Sequence, residues 1–222
     1  MKIAIDGPAG AGKSTIAKKL AEELGYVYID TGAMYRVLTW KALQKGIQVT
    51  CETALKQLAH SIKIHFENNS GQHKVLCNGE DLSAFIRLPQ VNALVSTVAS
   101  HPSIRKIMVK KQQDMANNMP VVMDGRDIGE CVLPDAQYKF FLTASLEERA
   151  RRRAEEFAQN GNIVDYQAVL NEIRERDQSD SQRKTGALKI LPESIVIDTS
   201  DMSLEQVLQH MLKIIQGEKY VL

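Results

Sequence analysis

Cysteine is scarce in this chain. Cys51, Cys77 and Cys131 are odd in number and share no metal-ligand spacing, which argues against a disulfide scaffold and a zinc motif. With no secretory leader after Met1, they read as reduced thiols, and a cytoplasmic protein is expected. No apolar run approaches the roughly 20 residues needed to span a bilayer, so no membrane partner is expected either. An excess of one charge sign is also missing. The 28 Lys and Arg stand against 27 Asp and Glu for a net charge of +1, leaving no whole-chain attraction for nucleic acid. Any basic site must therefore be a local cluster. Internal repeats, low-complexity tracts and interdomain linkers are absent, and 222 residues fit one α/β core carrying insertions better than two independent domains.

What is present begins at the first residues. The apolar run Ile3-Ala4-Ile5 breaks at Asp6 into Gly7-Pro8-Ala9-Gly10-Ala11-Gly12-Lys13-Ser14, between a short strand and an amphipathic helix. This is the spacing of glycine, four residues, then Gly-Lys-Ser. Backbone N–H groups there must curl around an anion, and Gly7, Gly10 and Gly12 remove the side chains that would hold the backbone away. The helix opening at Lys13 adds unpaired N–H groups and the positive end of its dipole. The Lys13 ammonium can reach the β and γ phosphates, and the Ser14 hydroxyl is offered to Mg²⁺. A nucleoside triphosphate site follows. A guanine-nucleotide switch would need Asn-Lys-x-Asp and Asp-x-x-Gly as well, and neither string occurs.

Further along, Ile16, Ala17, Leu20, Ala21 and Leu24 keep helical spacing up to Gly25. Tyr26 to Asp30 reads as a second buried strand, and Thr31 as the cap of a helix that carries Tyr35 and Arg36. After a helix from about 50 to 61, the alternation at Ile62, Ile64 and Phe66, the turn cluster Asn68-Asn69-Ser70-Gly71 and a return strand over 74–78 predict an inserted antiparallel meander. Helices follow from Leu88 and from Pro102. Val121-Val122-Met123 is a third buried strand that ends in Asp124-Gly125-Arg126-Asp127, where open α/β sheets present ligand-contacting residues. Tyr138 to Leu142 is a fourth strand. Ser145 and Glu148 form a capping-box pattern for an arginine-rich helix. On it, Arg151 and Arg152 have acidic neighbours at i±4 spacing, whereas Arg149 and Arg153 lie four apart on one face without them. Gly161 breaks this helix from a second one, starting near Asp165, which carries Arg174, Arg176, Asp177 and Asp180, with Arg183 just beyond. The pair reads as a hairpin lid. Ile195 to Asp198 is a fifth strand, and Ser203 caps a terminal amphipathic helix with Glu205 in its first turn.

Over nearly its full length the chain resembles the bacterial cytidylate kinase family. The resemblance rests on the motif at 5–15, Asp-Thr-Gly-Ala-Met-Tyr-Arg at 30–36, Asp-Gly-Arg-Asp-Ile-Gly at 124–129 and Glu-Arg-Asp-Gln-Ser-Asp at 175–180. It implies a three-layer α/β/α P-loop fold with a five-stranded parallel sheet. Residues 1–30, 99–148 and 184–222 would form the core. Residues 31–98 would be the monophosphate-binding region with its meander at about 62–98, and 149–183 the lid. The implied activity is transfer of the γ-phosphoryl of ATP to CMP or dCMP with Mg²⁺, by a monomer whose partners are these nucleotides. Another monophosphate such as UMP or AMP, and a regulatory triphosphate-binding module, are the alternatives.

Carried over by resemblance, the ATP site is Gly7, Pro8, Ala9, Gly10, Ala11, Gly12, Lys13, Ser14 and Thr15 with Arg149 and Arg153. The resemblance makes Arg36 and Arg126 ligands of the acceptor phosphate, and sets Ser96, Arg105, Asp127 and Arg183 near the cytosine. Arg176 and Asp180 would contact the pentose, while Thr31, Tyr35 and Asp124 complete the CMP set. Lys13, Arg126 and Arg153 would act on the transferring group, and Ser14 on the metal. Thr31 stands where some members have serine, keeping the hydroxyl, and Ser181 where some have a further basic residue.

Overall fold

The computed structural model describes residues 1–69, 72–117, 119–159 and 164–217. Numbered in chain order, strands β1 (Lys2–Asp6), β2 (Val27–Asp30), β6 (Val121–Gly125), β7 (Tyr138–Thr143) and β8 (Ile195–Asp198) form one sheet in the order β2-β6-β1-β7-β8. Every neighbouring pair is parallel. The cores of the three inner strands are apolar without alternation, as befits strands covered on both faces. Ile3 and Ile5 pack with helices α1 (Lys13–Leu24) and α8 (Leu204–Ile215), whereas Ala4 joins Ile29, Met123 and Ile128 on the opposite side. This is the three-layer arrangement and five-stranded parallel sheet that the sequence implies. One strand differs from expectation. β2 starts at Val27 rather than Tyr26 and lies at the sheet edge, leaving Val27 38% exposed.

Between β2 and β6 lie helices α2 (Thr31–Gln44), α3 (Glu52–Ser61), α4 (Pro89–Ser100) and α5 (Pro102–Met115). With them is an antiparallel sheet of β3 (Ile64–Asn69), β4 (Gln72–Cys77) and β5 (Glu80–Asp81). This is the predicted meander; Ser70 and Gly71 of its predicted turn lie outside the described residues. These elements share an apolar cluster that includes Met34, Leu38, Leu55, Leu82, Ile104 and Met108, all with no accessible surface. The cap of α2 corrects the sequence reading. The Asp30 carboxylate accepts from Ala33 N at 2.8 Å, so Asp30 is the cap and Thr31 the first helical residue. An aspartate there meets both the free N–H and the positive dipole end, while the Thr31 hydroxyl is committed to Asp124 O at 2.6 Å.

Helices α6 (Leu146–Gln159) and α7 (Tyr166–Ser181) form the helical hairpin, closed by Ala150, Val169, Leu170 and Ile173. Gly161 lies outside the described residues. The capping box at Ser145 is only half made. Ser145 Oγ accepts from Glu148 N at 3.2 Å, but Ser145 N donates to Ser200 Oγ, and the Glu148 carboxylate is taken by Arg151 and Arg152. Charge-assisted bonds to two arginines outcompete one neutral backbone donor. A complete capping box opens α8 at Ser203 and Gln206. Among the described residues no helix is long and apolar enough to cross a membrane.

Candidate active site

The loop from Gly7 to Gly12 carries the chain from the end of β1 into α1. A Cβ at Gly7 would run into the Leu142 carbonyl of β7, and one at Gly10, where φ is +78°, would sit 3.0 Å from Arg149 Cβ. The loop therefore needs glycine where it is squeezed between the sheet and α6. Gly12 caps α1 with no side-chain acceptor, so the first N–H groups of that helix are left to an anion. Lys13 is buried, and its Nζ donates to Pro8 O at 2.5 Å. Burial, followed by the nearby Arg126 charge, pushes the ammonium well below the usual lysine range. A phosphate beside it would supply the opposite charge and reverse that shift.

This loop forms one wall of a cavity of about 960 Å³. Twelve Lys and Arg against nine Asp and Glu line it, so a chain of net charge +1 still concentrates positive charge here. Ala9 to Thr15, Thr31, Tyr35, Arg36, Ser96 and Arg105 all reach its wall. So do Asp124, Arg126, Asp127, Arg153, Arg176, Asp180 and Arg183. Residues read as separate motifs thus meet in one place. Gly7, Pro8 and Arg149 are not on the wall. Arg149 is instead buried behind the loop, donating to Ala9 O and Ala144 O at 3.0 Å each and pairing with Asp177 at 2.5 Å. Arg153, expected to lack an acidic neighbour, pairs with Glu156 at 2.8 Å and lies over the Phe157 ring. The acidic partners of these two arginines, Asp177 and Glu156, escaped a search limited to i±4 spacing.

A group of arginines lines the same cavity as the loop. Arg126 Nε donates to Asp180 Oδ2 at 2.6 Å, and Arg183 makes an ion pair with the other carboxylate oxygen. Burial opposes the charge on Asp180, but Arg126, Arg183 and Arg176 outweigh it and hold the carboxyl below its ordinary value. Burial, then the like charges of Arg126 and Arg36, lowers Arg176 to about 9. Burial also lowers Arg36, with Asp30 opposing. The buried Nε atoms of Arg176 and Arg183, like that of Arg105, have no hydrogen-bond partner. Unsatisfied guanidinium donors beside compressed positive charge match the oxygens of a phosphate ester.

Between loop and arginines, Asp124 accepts from Ser14 Oγ and Tyr28 Oη, both at 2.7 Å. Burial, then the Asp30 charge, raises its pKa, while Lys13 and the two hydroxyl donors oppose the rise. Among the described residues no group of three or more His, Cys, Asp or Glu could hold a metal. A serine hydroxyl and one carboxylate are instead the hard-oxygen set of a Mg²⁺ ion that takes its other ligands from water and phosphate, so these residues fit that ion.

At the far end, Arg105 and Asp127 form an ion pair with 3% and 7% exposure. Arg105 also donates to Ala99 O and lies over the Tyr35 ring, whose hydroxyl burial pushes up to about 12. Asp127 is delivered by the turn leaving β6, and that turn is pinned by Asp6. The Asp6 carboxylate accepts from Ile128 N and Gly129 N at 2.8 Å each. Burial still raises Asp6 to about 6, against those two donors.

Sequence reasoning passed over Asp6, Asp177, Lys18 and Arg87. The last two line the cavity, and burial, then the Arg87 charge, depresses the Lys18 pKa. A lysine five positions after Lys13 and an arginine before a proline-started helix carry no local signature. Asp6 ends a strand, which is the one signal that could have singled it out.

Comparison with known proteins covers nearly the whole chain. The family model described as cytidylate kinase matches residues 3–217. The chain is 52% identical to a curated cytidylate kinase of Caldanaerobacter subterraneus subsp. tengcongensis, over 97% of this chain and 95% of that one. It is 48% identical to the cytidylate kinase of Anoxybacillus flavithermus, over 97% and 96%. A crystal structure of an uncharacterized protein from Eubacterium ventriosum has the same fold at a TM-score of 0.52 and 16% identity, covering 98% of this chain and 99% of that one.

Proposed function

Because the chain belongs to the cytidylate kinase family and is thus a nucleoside monophosphate kinase moving the γ-phosphoryl of ATP to CMP or dCMP, we propose how its residues divide that work. The observation that carries the reading is one cavity lined by both the phosphate loop and the Arg36–Arg126–Arg176 group. ATP binds along Ala9 to Thr15, with Gly7 and Pro8 shaping the loop from behind and Lys13 on the β and γ phosphates. Ser14 and Asp124 would hold Mg²⁺, which would supply positive charge to offset that of the phosphates. The acceptor phosphate sits against Arg36 and Arg126, and Arg176 and Asp180 take the pentose.

No general base is needed. A nucleoside monophosphate has a second pKa near 6, so its attacking oxygen is largely ionised at neutral pH. The protein brings two anions into line, spreads charge over Lys13 and the arginines, and excludes water by closing the hairpin. Arg153 contributes from that hairpin, and Arg149 acts behind the loop. Arg105 and Asp127 explain the base. Cytosine offers an exocyclic amino donor to the carboxylate, whereas uracil would set a carbonyl oxygen against it. Arg105 has donors left after pairing with Asp127, so it can read the ring acceptors, with Ser96 and Arg183 alongside. Tyr35 packs beneath Arg105, and Thr31 fixes the end of β6.

We also read 1–30, 99–148 and 184–222 as core, 31–98 as the acceptor-binding region and 149–183 as the lid. One chain furnishes every wall of the cavity, which favours a working monomer, and three free cysteines suit a reducing cytoplasm. The test is ADP production with ATP–Mg²⁺ and CMP, dCMP, UMP, AMP or GMP in turn, with ATP alone as control. Turnover is expected with CMP and dCMP; a preference for AMP or GMP would remove the assigned base site.

A further inference from the structure

Asp177 has no place in that scheme, yet it touches both sides of one loop peptide. Its Oδ1 accepts from Ala9 N at 3.3 Å, and its Oδ2 pairs with Arg149, which itself donates to Ala9 O. One turn further along α7, Asp180 accepts from Arg126 Nε at 2.6 Å. Residues three apart on a helix share a face and move together. A single rigid helix thus grips the donor loop with one carboxylate and an acceptor-side arginine with the next. Any shift of α7 large enough to free Ala9 N also disturbs Arg126.

We propose that Asp177 is a positioning residue that couples the two substrate sites through α7. The inference rests on the assignment of the loop to ATP and of Arg126 to the monophosphate. Monophosphate binding at Arg126 and Arg176 favours the docked position of α7, and docking fixes the Ala9 peptide and Arg149 against the loop. Triphosphate binding favours the same docked state from the other side. Each ligand then tightens the other by the same factor, as linkage requires.

The experiment titrates a non-hydrolysable ATP analogue with Mg²⁺ calorimetrically, with and without saturating CMP, into the unaltered protein and Asp177→Asn. Asparagine keeps the size and one acceptor but removes the charge that holds Arg149. In the unaltered protein CMP should tighten analogue binding by about fivefold or more, within the range of measured couplings. In Asp177→Asn that factor should fall toward one, and CMP alone should bind more weakly, because the docked position it favours is less populated. An equal factor in both proteins, or none in the unaltered one, overturns the proposal. A residue that merely neutralised Arg149 would lower analogue affinity equally with and without CMP. Should the variant fail to fold, hydrogen exchange in the unaltered protein decides. CMP alone should slow exchange of the Ala9 amide, and an unchanged rate overturns the coupling. ADP production with CMP in the same preparation keeps the two readings apart, since its absence removes the substrate assignment rather than the coupling.

Discussion

Replacing Asp180 by asparagine tests the electrostatic design of the cavity directly. The carboxylate is 1% exposed and serves as counter-ion to Arg126 at 2.6 Å, to Arg183 by direct ion pair, and to Arg176 through space. Asparagine matches its shape, so packing is unchanged and the loss is that of one buried negative charge. Breaking a buried pair from one side costs about 3–5 kcal/mol, because the remaining charge stays desolvated. Here more than one guanidinium is left, which places the expected loss in that range even though the Arg126 side chain keeps 16% exposure. For a chain of this length each kcal/mol lowers Tm by about 2–4 °C, giving a drop of roughly 6–20 °C. Denaturant unfolding with and without inorganic phosphate is the assay. Phosphate should return part of the lost stability in the variant and do far less in the unaltered protein, because it replaces the missing anion. A variant within about 1 kcal/mol of the unaltered protein, with the same response to phosphate, would refute the view that Asp180 holds these arginines together.

Other perturbations address single groups. Lys13→Ala should lower turnover by about 10²-fold or more, the scale of losing one transition-state donor, while leaving Tm unreduced because a desolvated ammonium is removed; steady-state kinetics and thermal unfolding check both. Asp124→Asn leaves two hydroxyl donors facing a side chain with a single acceptor oxygen. It should cost about 1–3 kcal/mol in unfolding experiments and raise the Mg²⁺ concentration needed for half-maximal rate. Burial raises the Asp6 carboxyl to about 6 in the folded chain, from the ordinary aspartate value of 3.8. Between those values the folded state binds more protons, so this group's contribution to stability falls as pH rises, by about 3 kcal/mol over the window. Asp6→Asn should remove that slope, and parallel stability curves for the two proteins between pH 4 and 6.5 would contradict it.

What the sequence disclosed was set by distance along the chain. The phosphate loop is legible because its glycines, Lys13 and Ser14 act within eight residues, and the strands because apolar runs bounded by turns need no partner to be recognised. Asp30 was passed over as a cap because Thr31 beside it is also a good capping residue, and only the three-dimensional claim of Asp124 O on the Thr31 hydroxyl decides between them. Arg149 looked unpaired because its partner, Asp177, is 28 residues away on another helix. Asp6 binds N–H groups 122 and 123 positions further on, and no local pattern encodes such a meeting. Where motifs brought a residue to notice, its type was informative; where an interaction spanned the fold, only the folded chain revealed it.

That order also explains why acids gather at the site of an enzyme for anions. All five strands run parallel, so their carboxyl ends share one edge, and the register sets Asp30 beside Asp124 and Asp6 beside Gly125. Left alone, this edge would repel phosphate. The cations arrive on different elements: Lys13 from α1, Arg36 from α2, Arg105 from α5 and Arg176 from α7. Strand-borne acids stay fixed by the sheet ladder, while the arginines of α7 can change position with their helix. A phosphate can then compete for guanidinium donors without dismantling the sheet edge. The negative charges that hold the arginines together before binding remain beside them afterwards. The acids are therefore part of the anion site, and removing one should disorder the arginines it serves more than it strengthens phosphate binding.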